Sequence, residues 1–216
     1  AAMPSRPDYV PTDADRAVKG GAGGGLPTYG TGQSSNGWWA MVITLIVAGM
    51  VGVMAGCSYV FLWSRRPELW RAPPEMTTLI GVLVLLAAAA VLAWSSVKAL
   101  AFDRPRSGVI AALLMALAAG AGVAGWGLEA SSWRMTGLRP DESSQGATVF
   151  ALVAWQGVFA VVSGLMGLFV LARWAFGLLS PRRPATCQLI ALFIVFSAGQ
   201  GAFAALLTHL FPVAAP

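Results

Sequence analysis

Residues 38–63 read WWAMVITLIVAGMVGVMAGCSYVFLW, and they contain no Lys, Arg, Asp or Glu. A helix needs about 20 apolar residues to cross the hydrocarbon core of a bilayer, so this stretch predicts a transmembrane helix. Four later stretches meet the same condition and are equally free of charge: 76–97, 107–128, 147–172 and 186–208. The sequence therefore predicts an all-α integral membrane bundle of five transmembrane helices within residues 37–212.

The charged residues are few and lie between these stretches. They make up 11% of the 216 residues, about half the share in a soluble domain. The net charge of +5 is therefore typical of membrane orientation rather than of a nucleic-acid interface. Nine of the 14 basic residues lie on the side of residue 1: Arg6, Arg16, Lys19, Lys98, Arg104, Arg106, Arg173, Arg182 and Arg183. This excess predicts a cytoplasmic N-terminus and a periplasmic C-terminus.

Residues 1–36 differ from the rest in composition. They are rich in Pro, Gly, Ser and Asp and include the run from Lys19 to Gly25, KGGAGGG. Such a composition cannot bury a core. The segment is therefore expected to be a flexible cytoplasmic tail.

Polar side chains inside the spans are the first candidates for function. Gln156 and Gln200 are expected to face other helices, because an amide without a partner is costly in lipid. They could bond to each other, to Ser163 or Ser197, to a neighbouring subunit, or to a transported substrate. The single histidine, His209, is expected to be a polar cap at the outer interface, because a haem or copper site needs further ligands. No catalytic residue and no metal ligand is predicted.

The two cysteines are expected to be packing residues. Cys57 lies toward the outer end of the first span and Cys187 at the inner start of the fifth. Most of a bilayer therefore separates them, which is too far for a disulfide.

Tryptophans and small residues mark interfaces and packing faces. Trp38 and Trp39 are expected at one membrane surface, and Trp126 and Trp133 at the other. Small residues recur at helical spacing and predict close helix approach. The predicted packing, partner or lipid contacts are Trp38, Trp39, Gly52, Gly56, Trp155, Gln156, Gly157, Gln200 and Gly201.

Several short motifs follow one another in a distinctive order. They are Gly37-Trp-Trp-Ala-Met, Tyr59-Val-Phe-Leu-Trp63, Pro67-Glu-Leu-Trp70, Trp155-Gln-Gly157, Ala198-Gly-Gln-Gly201 and His209-Leu-Phe-Pro212. In order and spacing, most of residues 26–212 resembles subunit III of bacterial haem-copper cytochrome c oxidases, in its short or fused forms. The second and third spans match only in hydropathy.

The resemblance implies an accessory subunit of an aa3-type oxidase in the bacterial plasma membrane. Such a subunit packs against catalytic subunit I, beside subunit II, and holds phospholipid, whereas haem a and copper belong to partner subunits. Two polar groups of the family are missing. Val47-Ala48-Gly49 stands where the family has a buried carboxylate, and Val158-Phe159 stands where Leu-His follows the Trp-Gln-Gly motif. The resemblance therefore implies a packing role for this chain, but not a proton-collecting role that depends on those two groups.

Two other functions are compatible with the same sequence. In a small transporter or channel, Gln156, Gln200, Thr44 and Ser163 would line a path, although the chain shows no internal repeat. In a scaffold subunit of another membrane complex, the motifs would have no special meaning. The identity of the co-purifying partner separates these functions from the oxidase subunit.

Overall fold

The structure is a computed structural model that describes residues 36–102, 106–179 and 184–214. It contains five long helices, α1 (Asn36–Arg65), α2 (Met76–Ala101), α3 (Ser107–Met135), α4 (Ser144–Ala175) and α5 (Ala185–Ala214), and a short 3-10 helix at Pro67–Leu69. All five are long and apolar enough to cross a membrane, and the described ranges contain no strand. The predicted all-helical fold, with five helices long and apolar enough to cross a membrane, is thus confirmed. The predicted tail at 1–36 lies outside the described residues, except for Asn36, which begins α1.

The helices extend beyond the apolar stretches that predicted them. At a single helix end the difference is largest in α3, which continues to Met135 although the charge-free stretch ends at residue 128. Hydropathy marks where lipid ends, whereas a helix ends only where its backbone hydrogen bonding stops. Gly137, with a φ of 72°, follows α3, and Gly177, with a φ of 67°, follows α4. Glycine takes this left-handed conformation without a steric penalty, so both residues allow the chain to turn after a helix.

α5 contains a proline, Pro212, that the predicted span excluded. Proline has no N–H and therefore cannot bond to the carbonyl four residues earlier, which here is that of Thr208. The Tyr59 hydroxyl of α1 donates to this carbonyl at 3.3 Å. A side chain from another helix thus takes the place of the missing backbone donor, and α5 continues to Ala214.

Successive helices run in opposite directions. α2 packs against α3 and α5, α3 against α4, and α1 against α4 and α5. We call the end at which α1, α3 and α5 end, and α2 and α4 begin, the distal end. The opposite half of the core is rich in alanine, including Ala89, Ala93, Ala111 and Ala112. These short side chains let α2 and α3 approach so closely that the Ser96 hydroxyl donates to the Ala111 carbonyl across the interface at 2.7 Å.

At the distal end, one glutamine side chain in the first turn of α4 holds the segment between α1 and α2. Gln145 is almost fully buried. Its Oε1 accepts from the Arg71 N–H at 2.8 Å, and its Nε2 donates to the Arg71 carbonyl at 2.9 Å. The Arg71 guanidinium donates onward to the Gly137 carbonyl at 3.2 Å. The segment between α1 and α2 is thereby fixed to the α3–α4 loop.

Gln145→Ala should lower the free energy of unfolding by about 2–3 kcal/mol, because it leaves the N–H and C=O of Arg71 without partners. The measurement is SDS-induced unfolding of the purified chain in mild detergent. Ser144→Ala is the matched control, since Ser144 is the exposed neighbour of Gln145. Equal stability of the two variants would contradict this role of Gln145.

Candidate functional site

The first polar cluster lies between α4 and α5. Gln156 of α4 is buried, and its Nε2 donates to the Ser197 carbonyl at 3.1 Å and lies 3.4 Å from the Ser197 hydroxyl. Gly201 makes room for this amide, because a Cβ at that position would lie 2.7 Å from Gln156 Nε2. The prediction that Gln156 faces another helix is confirmed, and of the partners left open by the sequence the structure shows Ser197. Gln156 and Gly201 thus form one contact between two of the sequence motifs.

Gln200 points in a different direction, toward α1. A Cβ on Gly52 would lie 3.4 Å from the Gln200 amide carbon. The Gln200 Oε1 is buried and has no hydrogen-bond partner in the described part of the chain. Gln200 lines a groove of about 300 Å³ between α1 and α5, with Gly49, Gly52, Val53, Phe196, Gly199 and Phe203. The structure therefore separates the two glutamines, and the described residues show no bond between them.

The residues proposed to line a transport path do not come together either. Thr44 lies on the exposed side of α1, and its hydroxyl donates back to the Ala40 carbonyl at 2.8 Å. Ser163 is buried within α4, and its hydroxyl has no partner among the described residues. Thr44 is therefore exposed where Gln156 and Ser163 are buried, and the contacts of the described residues link none of these four side chains to another.

Gly157 leaves space for a tryptophan of the neighbouring helix α3. A Cβ at Gly157 would lie 2.9 Å from two atoms of the Trp126 ring, Cε2 and Nε1. The Trp126 Nε1 donates to the Val153 carbonyl of α4 at 2.9 Å. The indole is thus directed at α4, and the depth predicted for Trp126 at a membrane surface stays a prediction. An indole N–H with a carbonyl acceptor inside the bundle needs no headgroup contact.

The remaining candidate residues have separate surroundings. Trp155 packs edge-on against Phe159, with 5.4 Å between ring centroids. Gly56 faces Phe203 and Leu207 of α5, from which a Cβ would lie 3.1 and 3.2 Å away. Trp38 and Trp39 pack against each other at the start of α1, and Trp39 is exposed.

The cysteines behave differently from each other. Both are free, Cys187 is buried and Cys57 is exposed. The packing role predicted for Cys57 is therefore wrong within this chain, because its side chain lies on the outer face of α1.

Aromatic residues from three motifs meet at the distal end. The Tyr59 and Trp70 rings pack edge-on with 4.8 Å between centroids, and Trp63 packs on Phe211 in the same way at 4.9 Å. Tyr59 is fully buried and lies 6.5 Å from Phe211. Residues far apart in sequence, in the first helix, the following loop and the end of α5, thus form one cluster.

Next to this aromatic cluster is a buried acid beside a buried base, which we call the Glu129–His209 pair. His209 of α5 is fully buried, and its Nδ1 lies 3.6 Å from Glu129 Oε1 of α3. The Trp133 Nε1 donates to the same carboxylate oxygen at 2.8 Å, and the Trp133 ring packs edge-on against the His209 ring. Within the described ranges, Glu129 is the only Asp, Glu, Lys or Arg that is buried.

This pair corrects two predictions. His209 is fully buried and so does not form an exposed polar cap, and Glu129 lies within α3 and not in a loop. Trp133 is almost fully buried in the bundle, and its predicted depth at a membrane surface stays a prediction. The charge-free stretch ended at residue 128, so Glu129 was counted among loop charges. The available signal was the spacing of Glu129 and Trp133, which are four residues apart and share one helix face. The sequence contains no signal that His209 meets them, because α5 reaches α3 only through tertiary packing.

The residues described do not include any group of three or more His, Cys, Asp or Glu side chains that could hold a metal ion. No protein-family model matches the chain, and no curated protein matches it.

Gly201→Ala should lower the free energy of unfolding by about 1–3 kcal/mol, because the added methyl overlaps the Gln156 amide. Gly199→Ala is the matched control two residues earlier on α5, since a Cβ there has no atom within 4 Å. SDS unfolding of both variants in mild detergent measures the difference. A Gly199 variant as unstable as the Gly201 variant would show that helix propensity, rather than the Gln156 contact, is responsible.

His209→Leu should lower the free energy of unfolding by about 3–5 kcal/mol, the usual loss when one partner of a buried pair is removed. The double variant Glu129→Met, His209→Leu should recover part of this loss, because it leaves no buried carboxylate without a countercharge. The same SDS titration gives the double-mutant cycle. If the two substitutions were simply additive, the groups would not be coupled.

Proposed function

We propose that the chain is an accessory subunit of an aa3-type cytochrome c oxidase, equivalent to subunit III. In this role it packs against catalytic subunit I, next to subunit II, and binds membrane phospholipid. Reduction of oxygen, electron transport and proton translocation are then properties of the whole respiratory complex. Haem a and copper are held by partner subunits, and the complex lies in the bacterial plasma membrane.

The observation that carries the proposal is that the motifs resembling subunit III contact one another. The Trp155-Gln-Gly157 motif meets Ala198-Gly-Gln-Gly201 through Gln156 and Gly201. The Tyr59–Trp63 motif meets both Trp70 and Phe211. Motif residues that are far apart in the sequence therefore pack together in two clusters. This supports a role in which these motifs specify the shape of a helical subunit.

The exterior of the bundle supports a partner-binding or lipid-binding role as well. α1 is the least enclosed helix and exposes a continuous set of large apolar side chains, including Ile43, Val47, Met50 and Met54. In a bilayer such a surface contacts lipid tails or another apolar helix. Phospholipid and subunit I are the partners that we propose for this exterior.

The proposal predicts that a tagged copy of the chain, purified from its native membranes in mild detergent, brings a large subunit and a-type haem with it. A reduced-minus-oxidised absorption spectrum of the eluate measures the haem, and mass spectrometry identifies the subunits. The same tag on another multi-pass protein of the same membranes is the control.

Two results would contradict the proposal. A colourless eluate from well-preserved membranes, with no large partner, would exclude the oxidase subunit. A large partner without haem would instead favour the scaffold function in another complex.

A further inference from the structure

Gln200 of α5 has an amide that the bundle leaves without a hydrogen bond. Oε1 of this amide is buried and Nε2 is not, and neither atom has a partner among the described residues. The amide lies against Gly52 of α1, where a Cβ would be 3.4 Å from its Cδ and 3.6 Å from its Nε2. Gln156 differs, because its Nε2 donates to the Ser197 carbonyl inside the bundle. Gln200 therefore keeps a hydrogen-bond donor that no described residue uses.

This free donor lies deep in the membrane-spanning part of the chain. Gln200 is 15 residues after Ala185 and 14 before Ala214, the two ends of α5, which is about 22 and 21 Å at 1.5 Å per residue. The hydrocarbon core of a bilayer is about 30 Å thick, so the Gln200 amide lies near its centre. Neither water nor a lipid tail offers a hydrogen-bond acceptor at that depth. An acceptor for this amide therefore has to come from protein.

The groove between α1 and α5 gives access to the amide from outside the bundle. Phe196 lies one turn before Gln200 on α5 and Phe203 about one turn after it, and both rings line this groove of about 300 Å³. Gly199 lines it as well and is exposed, and a Cβ there would have no atom within 4 Å. Val53 of α1 is exposed on the opposite wall. The groove is thus a gap between two aromatic rings, with the free Nε2 beside it.

Among the groups that cover a protein surface inside a membrane, a second helix is the one that brings a hydrogen-bond acceptor. Such a helix offers a Ser or Thr hydroxyl, an Asn or Gln amide oxygen, or a backbone carbonyl next to a small residue. The contact between α4 and α5 is an example within this chain, since Gln156 donates to a carbonyl and Gly201 leaves the space for it. At the groove, Gly199 and Gly52 let another helix approach closely in the same way.

We propose that the groove between α1 and α5 binds a transmembrane helix of another protein, and that Gln200 Nε2 donates to an acceptor on that helix near the centre of the bilayer. The site itself is defined by the groove and the amide. The identity of the helix rests on the proposed function, under which it belongs to catalytic subunit I.

Photocrosslinking in native membranes tests the proposal. The full chain carries an affinity tag and p-benzoylphenylalanine in place of Val53, which is exposed at the groove. Illumination should produce an adduct with another protein, and mass spectrometry of the crosslinked peptide should place it in a transmembrane helix. The same probe in place of Leu117, which is exposed on α3 and lies outside the groove, should not give this adduct.

Two substitutions test the donor and the space separately in the chain that carries the probe at position 53. Gln200→Met keeps the length of the side chain and removes the donor, so the yield of the adduct should fall about three- to thirtyfold, the range for one hydrogen bond between transmembrane helices. Because Gln200 has no hydrogen bond within the described bundle, the fold should persist. Gly199→Leu fills the groove, leaves the amide in place and should abolish the adduct. Gly120→Leu is its matched control, since a Cβ at Gly120 also has no atom within 4 Å and lies in a groove between α3 and α4.

Four results would overturn the proposal: no adduct, an adduct with lipid alone, an adduct with a second copy of this chain, or a yield that neither Gln200→Met nor Gly199→Leu lowers. If Gln200→Met does not fold, Gly199→Leu still decides whether the groove is occupied. A haem-containing partner that co-purifies with a chain giving no adduct would overturn this inference and leave the proposed function standing. An adduct with a helix from a complex without haem would support the groove site and contradict the proposed function.

Discussion

The lack of water in the hydrocarbon layer is the constraint on which this structure depends. A polar group there must find its partner within the protein, since lipid offers none. At several positions the bundle meets this constraint with contacts between helices. The Ser96 hydroxyl reaches a carbonyl of α3, the Trp126 indole a carbonyl of α4, and the Gln156 amide a carbonyl of α5. In each case a side chain of one helix bonds to the backbone of another, which fixes how the two helices are placed along and around each other.

Small residues make these contacts possible. A polar side chain can reach the backbone of a neighbouring helix only where that neighbour has no bulky side chain in the way. Gly201 leaves the space that Gln156 occupies, and Gly157 leaves the space for Trp126. The glycines and the polar residues therefore act together: the glycine provides the space and the polar side chain forms the hydrogen bond that occupies it. A Cβ added at Gly199 or at Gly120 would have no atom within 4 Å, so not every glycine in these helices has this role.

The distal end shows the same principle applied to a helix defect and to a charge. Pro212 leaves the Thr208 carbonyl without its backbone donor, and the Tyr59 hydroxyl supplies one. Glu129 would be costly alone in this position, and there the Trp133 indole donates a hydrogen bond to its carboxylate while the His209 ring lies beside it, with Nδ1 at 3.6 Å. Both solutions depend on α5 reaching its neighbours at one height in the bundle. A shift of α5 by one turn, about 5.4 Å, would separate both sets of partners.

The sequence by itself determined the number of spans, the helical class and the apolar surface, because these follow from local composition along the chain. It also predicted that Gln156 would face another helix, since lipid offers an amide no hydrogen-bond partner. Only the tertiary structure decided that Gln200 points to α1 and away from Gln156, that Trp126 is directed inward, and that Glu129 meets His209. Those outcomes depend on the rotation and height of each helix relative to the others. Rotation and height are set by the sum of many contacts between distant residues, and hydropathy along a single helix does not contain that information.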